Sequence, residues 1–277
     1  MRTLPIRLAM ASLLAAGAAR ADSAAARCEL VPARQRLPVA VHACVFSQRQ
    51  GVVGVQVDAD RRHDFVPVEG RDPGAYTDAQ GRPVRRLASI KGGAQFRLAD
   101  GRLLRVLWGA APLDSTLALQ GIRFRLQSAN TGSSNTLRVT PAGLQIDNRP
   151  QQLAIDGTIT GAELADLDGD GSPELYVAST AAGSGSHGTL TGLAVNKRKS
   201  LSFVMLDRPA PDAPQLQGHQ GHDRFLVDGN RLVWRFPVYR PGDPNAAPGG
   251  GTRALRDRLS PGEAGWLLRL DGQADRP

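Results

Sequence analysis

The sequence predicts an all-β protein: a C-terminal antiparallel β-sandwich preceded by a small β-barrel or β-sandwich module. Three observations carry this expectation. Apolar residues come in short runs of strand length, such as Val52 to Val57 (VVGVQV) and Leu103 to Trp108. Turn-forming groups stand between the runs: Asp72-Pro73-Gly74, Gln80-Gly81-Arg82-Pro83, Lys91-Gly92-Gly93 and Asp100-Gly101. Long helical periodicity is absent beyond the first residues.

Those first residues, 1–21, read as a secretory signal. Arg2 and Arg7 give a positive start, Leu8 to Ala19 a short apolar run, and Ala19-Arg20-Ala21 a small-x-small cleavage site. The run is too short to cross a membrane, and no other stretch approaches the ~20 apolar residues required. Arg27 precedes Cys28 where lipid attachment would need a small residue. A periplasmic protein without a membrane span is expected. Its formal charge of +8 falls to +5 when Arg2, Arg7 and Arg20 are removed. A basic balance can serve nucleic acid, but the basic residues are scattered and export removes that partner, so none is expected.

The first module is placed at residues 22–110. Asp100-Gly101 between QFRLA and RLLRVLW signals a hairpin. Cys28 and Cys44 are the only cysteines, and in an oxidising compartment they are expected to pair. Residues 111–133 read as a linker with one strand, Gly121 to Leu126, ending in a polar tract from Ser128 to Asn135. The second module is placed at 134–271, with a tail at 272–277. Its expected strands include Leu137–Thr140, Gly143–Ile146, Leu175–Ala178, Leu190–Val195, Arg231–Tyr239 and Trp266–Leu270, with a long surface loop from Tyr239 to Arg253. Residues 22–133 carry 16 Lys and Arg against 10 Asp and Glu, and residues 134–271 carry 14 against 15. That contrast suits two modules.

Neither Lys nor Arg occurs from Pro150 to Asn196, which reads as an acidic working face. Within it, Asp166-x-Asp168-x-Asp170-Gly171-x-x-Glu174 has the spacing of a calcium loop. Alternate carboxylates converge on one hard cation, and Gly171 permits the turn. The Ser172 carbonyl and Glu174 would complete the set. The acid falls at the ninth position rather than the twelfth, so the loop is not an EF-hand; it is similar to the short Asp-rich loops of integrin-type and dockerin-like repeats. The alternative is a tight turn held by Asp side chains bonding nearby amides. His219 and His222, in GHQGHD, could form a metal pair, but no third ligand is identifiable. No nucleophile elbow, phosphate loop or dinucleotide fingerprint is present, so no catalytic residue is assigned and an enzyme is not expected.

At Ser184-Gly185-Ser186-His187 the second module resembles the bacterial periplasmic inhibitors of invertebrate-type (I-type) lysozyme. The resemblance runs from about Asn135 to Leu270. It rests on GLQIDN, GAELADLDGDGSPELYV, the GSGS loop, AVNKRKSLS, the GHD of 221–223, RFPVYRPGD, NAAPGGGTR and SPGEAGW. It implies a β-sandwich, a lysozyme partner, the occurrence of homodimers, and a Ser-Gly-x-Tyr loop that enters the lysozyme cleft. Ser184 and Gly185 match that loop, and His187 stands where the family has Tyr. No cofactor is required by this reading, and calcium remains open. A second reading is a calcium-dependent cell-envelope module for glycan or protein; a hydrolase is a third and weaker one.

Overall fold

The structure, a computed structural model, describes residues 23–70, 72–263 and 265–276. The expected signal at 1–21 lies outside them.

The first module is a closed barrel. Its strands are β1 (Ser23–Val31), β2 (Ala40–Arg49), β3 (Val52–Gln56), β4 (Arg62–Pro67), β5 (Ala75–Thr77), β6 (Pro83–Arg86), β7 (Gly93–Arg97) and β8 (Leu103–Trp108). Each pairs antiparallel with the next, and β1 pairs with both β2 and β8, which closes the ring. Alternate residues point inward: Val53 and Val55 of β3, Phe65 of β4, Phe96 of β7, Leu104 and Val106 of β8. An eight-stranded ring has an interior that side chains can just fill. Here Phe65 and Phe96, both fully buried with ring centroids 5.0 Å apart, occupy it. Cys28 and Cys44 are disulfide-bonded across β1 and β2, with Cα atoms 5.9 Å apart. The expected Asp100-Gly101 hairpin joins β7 to β8, with Gly101 in the left-handed region at φ 84°.

Residues 111–133, expected as a linker, are folded into the second module. They carry β9 (Leu113–Leu119) and β10 (Ile122–Ser128), which form a four-stranded sheet with β11 (Ser134–Ala142) and β12 (Gln151–Asp156). The polar tract between β10 and β11 is a bracket. Asn130 Nδ2 donates to the Ile159 carbonyl and Asn130 Oδ1 accepts from Ile159 N–H; Asn135 Nδ2 donates to the Gly157 carbonyl. Buried amides satisfy main-chain groups there that would otherwise be costly to bury. The strand expected at Gly143–Ile146 is also absent: this segment is irregular, docked by Gln145 and Ile146 N–H on the Arg198 and Lys199 carbonyls.

The remaining strands are β13 (Thr158–Ala165), β14 (Glu174–Thr180), β15 (Gly188–Asn196), β16 (Ser200–Leu206), β17 (Arg224–Asp228), β18 (Arg231–Pro237), β19 (Thr252–Gly262) and β20 (Gly265–Arg276). They run in the order β13-β14-β15-β16-β20-β19-β18-β17, antiparallel except for the parallel β16–β20 pair. Two cores cover opposite faces of β13–β15. Leu175 and Val177 of β14 face the four-stranded sheet with Phe124, Leu126 and Leu137; Tyr176 of the same strand faces Trp234, Phe236 and Leu255. Burial on both faces explains why LYVA, Leu175 to Ala178, reads as a continuous apolar run rather than an alternating one.

Barrel and sandwich share a sheet edge. β2 pairs with β13 through His42 and Gly161, where a Cβ on Gly161 would meet His42 Nδ1 within 2.3 Å. Beside this pair, Glu163 of β13 receives His42 Nε2 and Arg61 Nη1 at 2.8 Å on one oxygen and Val227 N–H at 2.8 Å on the other. Burial opposes ionisation of Glu163, but the bond and charge of His42, the charge of Arg61 and the Val227 amide outweigh it and hold the group at about 2.

Candidate functional site: the loop between β14 and β15

Residues 181–187 close the β14–β15 hairpin. Ala181 N–H donates to the His187 carbonyl, and Ser186 N–H donates to the Gly183 carbonyl. Neighbouring segments fix the tip. His222 N–H donates to the Gly185 carbonyl at 2.7 Å, and Asn245 Nδ2 donates to the Ser184 carbonyl at 3.0 Å. Asn245 is itself set by Tyr239, whose hydroxyl donates to its carbonyl at 2.9 Å. The approach of the 218–223 turn requires a glycine: Gly221 has φ 99°, and a Cβ there would lie 1.9 Å from the Gly185 carbonyl oxygen. The loop's main chain is thus held from below, while the Ser184 and His187 side chains are exposed.

Beneath the loop lies Asp223, whose side chain is only 2% exposed. Its Oδ1 accepts His219 Nε2 at 2.7 Å and Trp234 Nε1 at 2.6 Å; its Oδ2 accepts Gly188 N–H at 2.8 Å. Burial would raise the Asp223 pKa, but these bonds prevail and hold its carboxyl below the usual range. His187 lies over this group, with Nδ1 3.9 Å from Asp223 Oδ2 and its ring edge-on to His219 at 5.6 Å. The His219–His222 pair considered from sequence does not converge. His222, in the left-handed region at φ 56°, turns away to Asn245 and stacks on Tyr239.

The Asp166–Glu174 loop joins β13 to β14. Oxygens of Asp166, Asp168 and Asp170 lie within 4.8 Å of one another. Asp166 Oδ2 accepts Gly171 N–H and the Gln120 side chain, while Asp166 Oδ1 is buried without a partner among the described residues. Asp168 Oδ1 accepts Asp170 N–H, and Asp170 Oδ1 accepts Ser172 N–H. Glu174 is 1% exposed; its Oε2 accepts Leu167 N–H at 2.9 Å. Burial first, and then the charges of Asp168, Asp166 and Asp170, push its pKa up to about 8. Arg198 reaches across to the Gly171 carbonyl at 3.1 Å.

These two loops are not one face. They flank opposite ends of the seven-residue strand β14, about 20 Å apart at ~3.3 Å per residue. Around the Ser184–His187 loop the nearer charges include Arg61 and Arg224, which line a cleft of about 260 Å³ beside Ser186, His222 and Asp223. The acidic working face expected from 150–196 therefore divides into an acidic end and a mixed end. Asp223, Asn245 and Trp234 were not marked by the sequence reading. The GHD, RPGD and NAAPGGG segments, which carry the resemblance, were the signal that could have found the first two, since they hold the loop.

Comparison with known proteins gives one finding. A family model described as periplasmic lysozyme inhibitor of I-type lysozyme matches residues 145–217. That stretch contains both the Asp166–Glu174 loop and the Ser184–His187 loop. Neither a curated protein nor a solved structure matches the chain significantly. The second module resembles these inhibitors over the matched stretch, as its motifs imply, and the match supports a periplasmic lysozyme inhibitor in general.

Proposed function

We propose that this protein blocks an I-type lysozyme by inserting the Ser184–His187 loop into its active-site cleft. The observation that carries this reading is the presentation of the loop within the matched stretch. Its main chain is tied at Gly185 and Ser184 by His222 and Asn245, while Ser184 is free to meet a partner. A loop already held in one conformation loses little entropy on binding. Lysozymes cleave with two carboxyl groups, one protonated and one ionised. The Ser184 hydroxyl can donate to the ionised group and accept from the protonated one. Gly185 keeps the tip narrow, and His187 is the third contact. The test is inhibition of purified I-type and vertebrate-type lysozymes. Inhibition of the I-type enzyme that is lost in Ser184→Ala supports the reading. No inhibition of either would leave a cell-envelope module as the working alternative.

We also propose that Asp166, Asp168, Asp170, the Ser172 carbonyl and Glu174 hold one calcium ion. The specific support is the orphaned, buried Asp166 Oδ1 together with the buried Glu174, which stands among three other carboxyl groups. Such a set suits a hard cation with oxygen ligands. The ion would stiffen the β13–β14 turn, and blocking a cleft does not require it. Heats of calcium binding test it, with Asp168→Asn as the control that should abolish them.

A further inference from the structure

A second group of ligating side chains lies at the base of the Ser184–His187 loop, and its chemistry is not that of calcium. His187, His219 and Asp223 each offer an atom, all within 4.8 Å of one another. They come from three places in the chain: the end of the β14–β15 hairpin, the start of the 218–223 turn, and the residue preceding β17. His219 Nε2 is 2.7 Å from Asp223 Oδ1, and His187 Nδ1 is 3.9 Å from Asp223 Oδ2. A tetrahedral zinc ion with bonds of ~2.0 Å spaces its ligand atoms about 3.3 Å apart, between these two values. We propose that His187, His219 and Asp223 form a binding site for a zinc-class transition-metal ion.

The donor set is two imidazole nitrogens and one carboxylate, which favours zinc over calcium or magnesium. The His187 ring is oriented for this role. Gly185 leaves room for it, since a Cβ there would lie 2.9 Å from His187 Nε2, so that nitrogen faces Gly185 and Nδ1 faces Asp223. Groups behind the carboxylate hold it in place: Trp234 Nε1 on Oδ1 at 2.6 Å and Gly188 N–H on Oδ2 at 2.8 Å. Outer partners of this kind are what orient metal ligands. The His187 side chain is 61% exposed, so an ion entering from that side keeps its fourth position open to water or to a partner group. Binding through His219 Nε2 requires the neutral ring to carry its proton on Nδ1, so the Nε2 hydrogen bond to Asp223 Oδ1 gives way to the metal bond with no net loss of the ring proton. A bound ion would tie the β14–β15 hairpin to the 218–223 turn and remove the freedom of the one exposed ring on the loop.

The proposal does not depend on lysozyme binding. The test is calorimetric titration of the untagged full chain with zinc chloride, repeated for His187→Ala, His219→Gln and Asp168→Asn. His187→Ala removes an exposed side chain and should leave the fold intact. Expected are one zinc per chain, at least a tenfold loss of affinity in His187→Ala and His219→Gln, and no change in Asp168→Asn. Substitution of cobalt(II) should give the intense visible bands of a four-coordinate ion in the unmodified protein and not in His187→Ala. Absence of zinc binding, or equal affinity in the unmodified protein and His187→Ala, overturns the proposal; so does loss of binding in Asp168→Asn, which would move the ion to the acidic loop.

Discussion

Replacing Glu174 with Gln should stabilise this protein at neutral pH when calcium is withheld. Glu174 is buried beside three aspartates, and its pKa is pushed from the ordinary 4.5 up to about 8. A carboxyl raised in the folded state binds a proton that the unfolded chain has released, so stability falls as pH rises from about 4.5 to about 8. At pH 7.5 the group folds about 3 pH units above its ordinary value, which at ~1.4 kcal/mol per unit costs about 4 kcal/mol. Glutamine keeps an oxygen for Leu167 N–H and carries no charge, so the variant escapes that cost. With ~2–4 °C per kcal/mol for a chain of this size, its melting temperature in chelator at pH 7.5 should exceed that of the unmodified protein by about 10 °C. The two should converge near pH 5. Added calcium should raise the unmodified protein, by about 2.7 kcal/mol at a hundredfold excess over its Kd, and leave Glu174→Gln unmoved. Thermal melts from pH 5 to 8, with chelator and with calcium, measure all of this. A flat pH profile in chelator, or a variant less stable at pH 7.5, would refute the argument.

Two further outcomes are expected. A fragment of residues 111–276 should melt cooperatively, whereas 134–271 should not. The shorter one lacks the fully buried Leu117, Ile122, Phe124 and Leu126, and at ~1.5–3 kcal/mol each their loss rivals the ~5–15 kcal/mol stability of a whole domain; a cooperative melt of 134–271 would contradict this. Gly221→Ala places a Cβ against the Gly185 carbonyl at a left-handed φ. It should cost about 1–3 kcal/mol and shift the loop resonances in NMR spectra, and an unchanged melt and spectrum would show that the turn does not support the loop.

The fold class was legible because strand-length runs and turn residues are local signals, as at Asp100-Gly101. Closure of the barrel was not, because the β1–β8 pairing joins residues far apart in sequence. The misreading of 111–133 has a definite cause. Ser128-Ala129-Asn130-Thr131-Gly132 has the composition of a flexible connection, yet Asn130 and Asn135 spend their amides on main-chain groups of β13 and its turn. Polarity there serves burial, which composition cannot express. The Ser184–His187 loop stood out only through the family resemblance. What holds it did not, since His187 meets Asp223 across the fold, and His219 with His222 looked like a pair until His222 turned to Asn245.

Cleft blocking is tested most directly by titration of an I-type lysozyme with this protein, read as residual lysis of peptidoglycan. The unmodified protein should bring activity to zero at a stoichiometric end point. Ser184→Ala, which alters only an exposed hydroxyl, should shift the curve to at least tenfold higher concentration. His187→Tyr, which places there the residue that the family resemblance implies, should inhibit at least as well. Full lysis at every concentration, or identical curves for the unmodified protein and Ser184→Ala, would contradict the claim that this loop blocks the cleft.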